Sequence, residues 1–577
     1  MNEKQSKDTA AAIPFRVALA QVDPTVGDLA GNRELMCRHI EAARALGADL
    51  IAFPEMCLTG YPPEDLLLRP HFVEDSKAAL RRLAPCADGI TVVAGCVYNR
   101  GRQVYNAAAV LHRKRIVGAY YKQLLPNYGV FDENRYFQAG EENIVWQLGE
   151  AAIGISLCED IWSDEGPHLG QARAGAGVVL NISSSPYHAG KHLLRQKMLR
   201  TRARSTGAYV CYANLVGGQD ELIFDGGSMI ISPTGKMIAV GRQFEEDLVV
   251  ADLDLSAVRG PRKAAPPGEA VTTRNLQPYK RQSGRPEVAA RIAPALRQWE
   301  EIYRALVLGL RDYVSKNLFE KVTVGLSGGI DSALTAAIAV DALGRENVIG
   351  VTMPSRYTSD ATLSDSGLVA RRFGIRLVTL PIENVFRAYL DDLAEVFDGL
   401  APDAAEENIQ ARIRGNLLMA LSNKFGWLVI TTGNKSETST GYCTLYGDMA
   451  GGFSILKDVP KTWVYKLAEY RNRQAGTDYI PQSIIERAPS AELRPDQKDE
   501  DSLPPYGVLD QILDAYIEKD KSRAEIEKMG FDPALVSRVA GLVDRNEYKR
   551  RQAPPGLKIT PRAFGRDRRM PIVNRYT

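Results

Sequence analysis

Short apolar runs bounded by Gly, Pro, Asn or Asp recur through the first 254 residues: FRVALAQ, ADLIAFP, ITVVAGCVY, AAIGISLCED, GVVLNISS and AYVCYANLV. Their length and their content of β-branched residues predict strands, and the helical or loop stretches between them make this half α/β. From Gly260 to Gly284 the periodicity lapses into Pro, Arg, Gly and Gln, which predicts a linker or surface arm. Beyond it the helical pattern RQWEEIYRALVLGLRDYVSKN leads into the strand KVTVGL. Strand and helix then alternate through VIGVTMP, IRLVTLP and WLVITTG, a rhythm that predicts a doubly wound parallel sheet. The expected organisation is a leader over 1–13, a first domain over 14–259, an arm over 260–288 and a second domain over 289–577.

At 577 residues, two or more cores are expected, and with 45% hydrophobic and 25% charged residues the composition is that of a globular protein. No apolar run approaches the ~20 residues that span a bilayer, so membrane insertion is not expected. The opening MNEKQSKDTAAAIP lacks the apolar core of a signal peptide and reads as a disordered leader. A net charge of +2 gives no electrostatic footprint for nucleic acid and leaves small molecules as the expected partners. Seven scattered cysteines, with no CxxC pair, predict a reduced, cytoplasmic protein. All six histidines precede residue 200, so any metal in the second half must be bound through oxygen.

The hexapeptide Ser327-Gly328-Gly329-Ile330-Asp331-Ser332 lies between the strand Val322 to Leu326 and the helical run ALTAAIAVDAL. Paired glycines let backbone approach phosphate oxygens, Ser327 and Ser332 add hydroxyls, and the helix N-terminus adds amide donors. Asp331 is a poor phosphate ligand unless it holds Mg²⁺. The plain alternative is a Gly-Gly turn with Asp as a cap. In this context the motif resembles the pyrophosphatase loop of the N-type ATP pyrophosphatases, which implies cleavage between the α- and β-phosphates. The stretch WLVITTGNKSETSTGYCTLYGDMAGGFSILKDVPKT further resembles the NAD synthetases of that group. The resemblance implies ATP contacts from Gly325, Leu326, the hexapeptide, Thr432 and Lys461, and Mg²⁺ on Asp331 and Glu437. It also implies that Asn408, Glu437, Asp448 and Lys549 meet deamido-NAD.

In the first half, Glu55 in LIAFPEMCLTGYPPEDLL, Lys122 in YYKQLLPNYGVFDENRYF and Cys158 in IGISLCEDIW carry complementary chemistry. A carboxylate can take the thiol proton, and an ammonium can stabilise both the thiolate and a developing oxyanion. The rival is a Cys-His pair using His168, His188 or His192. Together the three segments resemble the nitrilase superfamily over roughly residues 15 to 255. That implies an αββα sandwich with Glu55, Lys122 and Cys158 catalytic, and Tyr128, Ser185 and Lys191 on glutamine.

A nitrilase-like half followed by this loop resembles the glutamine-dependent NAD synthetases, with a Rossmann-like second domain. The implied substrates are glutamine, ATP and deamido-NAD, in a homo-oligomer with an enclosed passage for ammonia. Two other readings stay open. One is an amidase with a nucleotide-sensing second half, and the other is amidation or thiolation of a different acceptor.

Overall fold

The structure, a computed structural model, describes residues 14–260, 270–280, 284–495 and 497–576, so the leader read over 1–13 lies outside it. The described chain separates into two compact units, residues 14–219 with 224–296, and residues 220–223 with 297–576.

The first unit contains a six-stranded and a seven-stranded sheet. The strands up to residue 276 are β1 Pro14–Gln21, β2 Leu50–Ala52, β3 Thr91–Arg100, β4 Gln103–His112, β5 Arg115–Tyr121, β6 Asn143–Leu148, β7 Ala151–Leu157, β8 Val178–Ser183, β9 Tyr209–Asn214, β10 Val216–Gln219, β11 Leu222–Asp225, β12 Met229–Ile231, β13 Met237–Val240, β14 Asp247–Asp254 and β15 Val271–Leu276. The sheet orders are β14-β1-β2-β3-β4-β5 and β13-β12-β9-β8-β7-β6-β15. Strand alternation sends side chains to opposite faces, and here both faces are buried. Phe15, Val17 and Leu19 of β1 join Ile153, Ile155, Leu157, Val178 and Leu180 in one core between the sheets. Ala18 and Ala20 face the other way, onto Met36, Ile40, Leu80 and Leu83 of α1 (Leu29–Ala45) and α2 (Pro70–Leu83). The seven-stranded sheet packs outward on Leu199 and Ala203 of α4 (Lys191–Thr206), while Gln171 of α3 (Pro167–Arg173) donates to the Ile155 carbonyl at 2.6 Å. The result is the expected αββα sandwich.

Two features depart from the sequence reading. The arm contributes β15, which pairs in parallel with β6 along its whole length, and the first unit continues to Leu296. Cys37 on α1 and Cys86, in the turn after α2, are joined in a disulfide with Cα atoms 5.9 Å apart. The expectation of uniformly reduced cysteines is corrected accordingly. The two helices pack side by side on the same sheet face, which brings together residues 49 apart in sequence.

The second unit holds a five-stranded, wholly parallel sheet of order β18-β17-β16-β19-β20. Its strands are β16 Val322–Gly325, β17 Val348–Thr352, β18 Arg376–Thr379, β19 Leu428–Thr431 and β20 Phe453–Ser454. Helices α5 (Gln298–Lys316), α6 (Ile330–Leu343), α7 (Asp360–Phe373), α8 (Glu383–Leu393) and α9 (Ala404–Phe425) surround it as a doubly wound α/β layer set. Chain order reverses at β16, which has β17 on one side and β19 on the other, so its carboxyl end is the switch point where open α/β sheets bind ligands. A helical annex that includes α10 (Tyr506–Leu513) and α11 (Pro533–Arg545) has its own core of Leu509, Ile512, Val536, Val539 and Val543. No helix among the described residues is long and apolar enough to cross a membrane.

Candidate functional site

In the first unit Cys158 follows β7 as the first residue of a short 3-10 turn, with φ of 39°. That left-handed conformation is costly for a residue with a side chain and persists only where its surroundings enforce it. Glu55 and Lys122 are fully buried, and the Lys122 ammonium is 2.9 Å from Glu55 and 2.6 Å from Glu133. Glu55 is fixed from three further directions. Asn106 donates to its Oε1 at 2.7 Å, Ser184 N–H donates to its Oε2 at 2.9 Å, and its carbonyl accepts from the Ser184 hydroxyl.

Electrostatics follow from that packing. Burial pushes the Cys158 thiol well above its ordinary range, and the negative charge of Glu55 adds to it, while Lys122 pulls the other way. Burial disfavours the Lys122 ammonium, yet Glu133 and Glu55 together outweigh it and hold its pKa well above the usual lysine value. Burial raises Glu133, against the pull of Lys122. The thiol therefore rests protonated beside a fixed carboxylate, an arrangement that requires proton removal on attack rather than a standing thiolate. Glu133 belongs to this cluster and escaped the sequence reading. It lies in a short irregular turn, and nothing in the ENR segment signals burial.

The histidine rival finds other partners. His168 Nδ1 meets the Asp160 carbonyl at 3.2 Å, His188 meets the Ala189 carbonyl at 3.1 Å, and His192 lies 3.8 Å from Asp225. Burial, aided by the charge of Arg202, pushes His168 down to about 4. The folded protein thus keeps this ring neutral down to about pH 4, while the unfolded chain protonates it near pH 6.5. Stability from this residue is complete above pH 6.5 and declines towards pH 4, by at most about 3 kcal/mol. We expect His168→Asn to narrow the acid-induced fall in melting temperature between pH 7 and pH 4. Parallel curves for variant and wild type would refute this.

Of the residues read as glutamine contacts, Tyr128 and Ser185 lie against or beside neighbours of the buried cluster. The Tyr128 hydroxyl donates to Glu159, the neighbour of Cys158, at 2.9 Å, and the ring is largely exposed. Ser185 follows the Ser184 that holds Glu55, and Arg195 approaches its hydroxyl at 3.5 Å. Lys191 opens α4 and donates to the Pro186 carbonyl at 2.7 Å.

In the second unit a cavity of about 300 Å³ opens at the switch point. Gly325 to Ser332 line it, with Thr432, Glu437, Asp448 and Lys461. β16 ends at Gly325 and α6 begins at Ile330, so the hexapeptide is the strand-to-helix turn and presents the N-terminus of α6. Gly328 has φ of 79°, and a Cβ there would lie 2.4 Å from the Thr362 carbonyl, so glycine is required on both counts. The two serine hydroxyls are engaged within the turn. Ser332 donates to the Gly329 carbonyl at 2.9 Å and Ser327 to the Ser332 hydroxyl at 3.2 Å, so their hydroxyls brace the turn.

Asp331 sits at the cavity edge, paired with the Lys461 ammonium and accepting from Asn434 at 3.0 Å. Glu437 is 3.5 Å from the same ammonium. Burial raises Glu437, with the Asp331 charge adding to it against the pull of Lys461. Among the described residues no group of three or more His, Cys, Asp or Glu is assembled as a metal cage. Two carboxylates beside a phosphate-type turn fit a hard cation that takes its remaining ligands from phosphate and water.

Asn408 and Lys549 are not among the residues lining the cavity. Asn408 accepts from the Thr444 hydroxyl at 2.6 Å, and Lys549 donates to the carbonyls of Gly441 and Cys443. Asp448, which does line the cavity, accepts from Thr444 N–H, so these three residues converge on segment 441–448. The sequence reading missed Arg414 and Arg487, which also line the cavity. Arg414 is held by the Met353 carbonyl, and Arg487 donates to the Gly328 carbonyl at 3.3 Å and pairs with Asp365. An arginine in a polar helix or loop carries no mark of inward orientation.

Comparison with known proteins agrees with this division. The carbon-nitrogen hydrolase family matches residues 16–263, and the NAD synthase family matches residues 302–553. The glutamine-dependent NAD(+) synthetase of Thermotoga maritima is 48% identical, covering 97% of this chain and 99% of that one. That of Aquifex aeolicus is 46% identical over 97% and 100%. The solved structure of the Acinetobacter baumannii glutamine-dependent NAD+ synthetase, in complex with ADP, is 44% identical over 97% and 99%, with a TM-score of 0.75. The chain accordingly belongs to the family of glutamine-dependent NAD(+) synthetases.

Proposed function

We propose that this chain amidates deamido-NAD to NAD, driven by ATP and supplied with ammonia from glutamine. The observation that carries the reading is the pairing, in one chain, of a buried Glu55–Lys122–Cys158 cluster with a switch-point cavity around Ser327 to Ser332.

In the first site Glu55 takes the Cys158 proton as sulfur attacks the glutamine carboxamide. The Lys122 ammonium stabilises the tetrahedral oxyanion, Glu55 passes the proton it took to the departing nitrogen, which leaves as ammonia, and water activated by the freed Glu55 hydrolyses the thioester to glutamate. Tyr128, Ser185 and Lys191 hold the amino acid, with Lys191 facing its carboxylate. In the second site the nicotinate carboxylate attacks the α-phosphate of ATP, forming an adenylate and releasing pyrophosphate. Ammonia then displaces AMP to form the amide. The turn from Gly325 to Ser332 and Thr432 hold the phosphates, Arg414 and Arg487 add positive charge, and Asp448, supported by Asn408 and Lys549, faces deamido-NAD. Asp331 and Glu437 would hold Mg²⁺, which neutralises phosphate charge when bound.

Ammonia must travel unprotonated, which supports an enclosed passage completed in a homo-oligomer. ATP and deamido-NAD as substrates support a cytoplasmic setting, although the Cys37–Cys86 link stands against a wholly reduced set of thiols. Pyrophosphate release tests the reading. It is expected only when deamido-NAD is present with ATP, and a protein that bound ATP without turnover would be a sensor.

A further inference from the structure

Asp160 lies two residues after Cys158, fully buried, and its carboxylate accepts four hydrogen bonds, two on each oxygen. Oδ1 accepts from the backbone N–H groups of Gln123 at 3.2 Å and Leu124 at 2.9 Å, the two residues that follow Lys122. Oδ2 accepts from the N–H of Leu157 at 3.0 Å, immediately before Cys158, and from the Tyr120 hydroxyl at 2.8 Å, two residues before Lys122. One rigid carboxylate thus grips the chain on both sides of Lys122 and just ahead of Cys158.

We propose that Asp160 is a positioning residue for the glutaminase reaction, fixing the distance between the Lys122 ammonium and the Cys158 sulfur. The inference rests on the assignment of those two residues as oxyanion donor and nucleophile. Lys122 is already anchored in its sheet, since its N–H donates to the Asn106 carbonyl and its carbonyl accepts from Gly140 N–H. Cys158 belongs to the other sheet of the sandwich, at the end of β7, in a turn whose positive φ needs external support. Asp160 joins the two elements directly. It also receives the N–H groups of Gln123 and Leu124, which lie beyond the end of β5. Catalytic groups misplaced by about 1 Å lose roughly 10²-fold in rate while still binding substrate.

The test is Asp160→Asn, with Tyr120→Phe as a milder second variant, in the full-length enzyme. In the asparagine variant one arm must place an NH2 group against backbone N–H donors, so the carboxylate tie opens on that side. Expected for D160N is a fall of about 10²-fold in kcat for glutamate release, with KM for glutamine within about threefold and ammonium-supported NAD synthesis unchanged. Tyr120→Phe removes one of the four bonds, and a three- to tenfold fall in kcat at constant KM is expected. Glutaminase kcat within twofold of wild type in both variants would overturn the proposal. So would a parallel fall in glutamine- and ammonium-supported rates, which would mark Asp160 as structural only. If D160N is insoluble, Y120F decides alone by the same criteria. A Cys158→Ala control separates the underlying assignment: survival of glutamate release there would refute the nucleophile and leave the Asp160 measurements unexplained by it.

Discussion

Replacing Cys158 by Ala is expected to reduce glutamine-supported NAD formation by at least about 10³-fold, while synthesis from added ammonium stays within about twofold of wild type. Loss of a covalent nucleophile removes the intermediate itself, and no neighbouring group can stand in for it. The environment of Cys158 makes the demand stringent. The thiol is buried, with a pKa raised by burial and then by Glu55, so attack depends on Glu55 removing its proton, and the alanine variant has no sulfur for Glu55 to activate. The side chain is small and Ala fills most of its volume, so the fold should persist. Glutamate release and NAD formation measured in parallel decide the matter. Retention of either one with glutamine at more than a tenth of the wild-type rate would defeat the nucleophile assignment, and loss of the ammonium-supported reaction would argue against separable chemistry.

The second large effect is expected at Asp331. Asp331→Asn should lower NAD synthesis from glutamine and from ammonium alike, by about 10² to 10³-fold, because it removes one of the two carboxylates that would hold Mg²⁺, the cation that would offset phosphate charge there. The substitution is chosen over loss of Lys461 for an electrostatic reason. Removing the lysine would leave Asp331 and Glu437 as adjoining, partly buried carboxylates without their counter-charge, a destabilising arrangement. With Asn at 331, Lys461 keeps Glu437 at 3.5 Å and the fold keeps a neutral pair. Pyrophosphate release dependent on deamido-NAD is the measurement, and less than a tenfold decrease would remove Asp331 from the reaction.

The strands easiest to read in the sequence were those buried on both faces, since continuous Val, Ile and Leu runs such as VVLNIS admit few other structures. The turn from Ser327 to Ser332 was legible because its chemistry is local, with glycines, strand and helix all within ten residues. β4 was harder. Its NAAAV centre has weak strand propensity, and its identity comes from pairing with β3 and β5. Glu133, Asp160, Arg414 and Arg487 were illegible for a different reason. Each is a charged residue that tertiary packing turns towards the buried cluster or the cavity, whereas local sequence predicts such residues to face water. Serine hydroxyls at 327 and 332 look like phosphate donors in sequence, and the turn geometry adds that they also brace the loop.

The arm strand β15 bears on how the protein can be divided. Its six residues cover the outer side of β6, and the Arg274 guanidinium lies 5.4 Å from the centre of the Trp146 ring. A fragment cut at residue 259 would lose that cover and present β6 as an open edge, a ready template for self-association between copies. A fragment carried through Leu296 keeps its own seal, so the natural unit for expressing the glutaminase half ends after the arm and not before it.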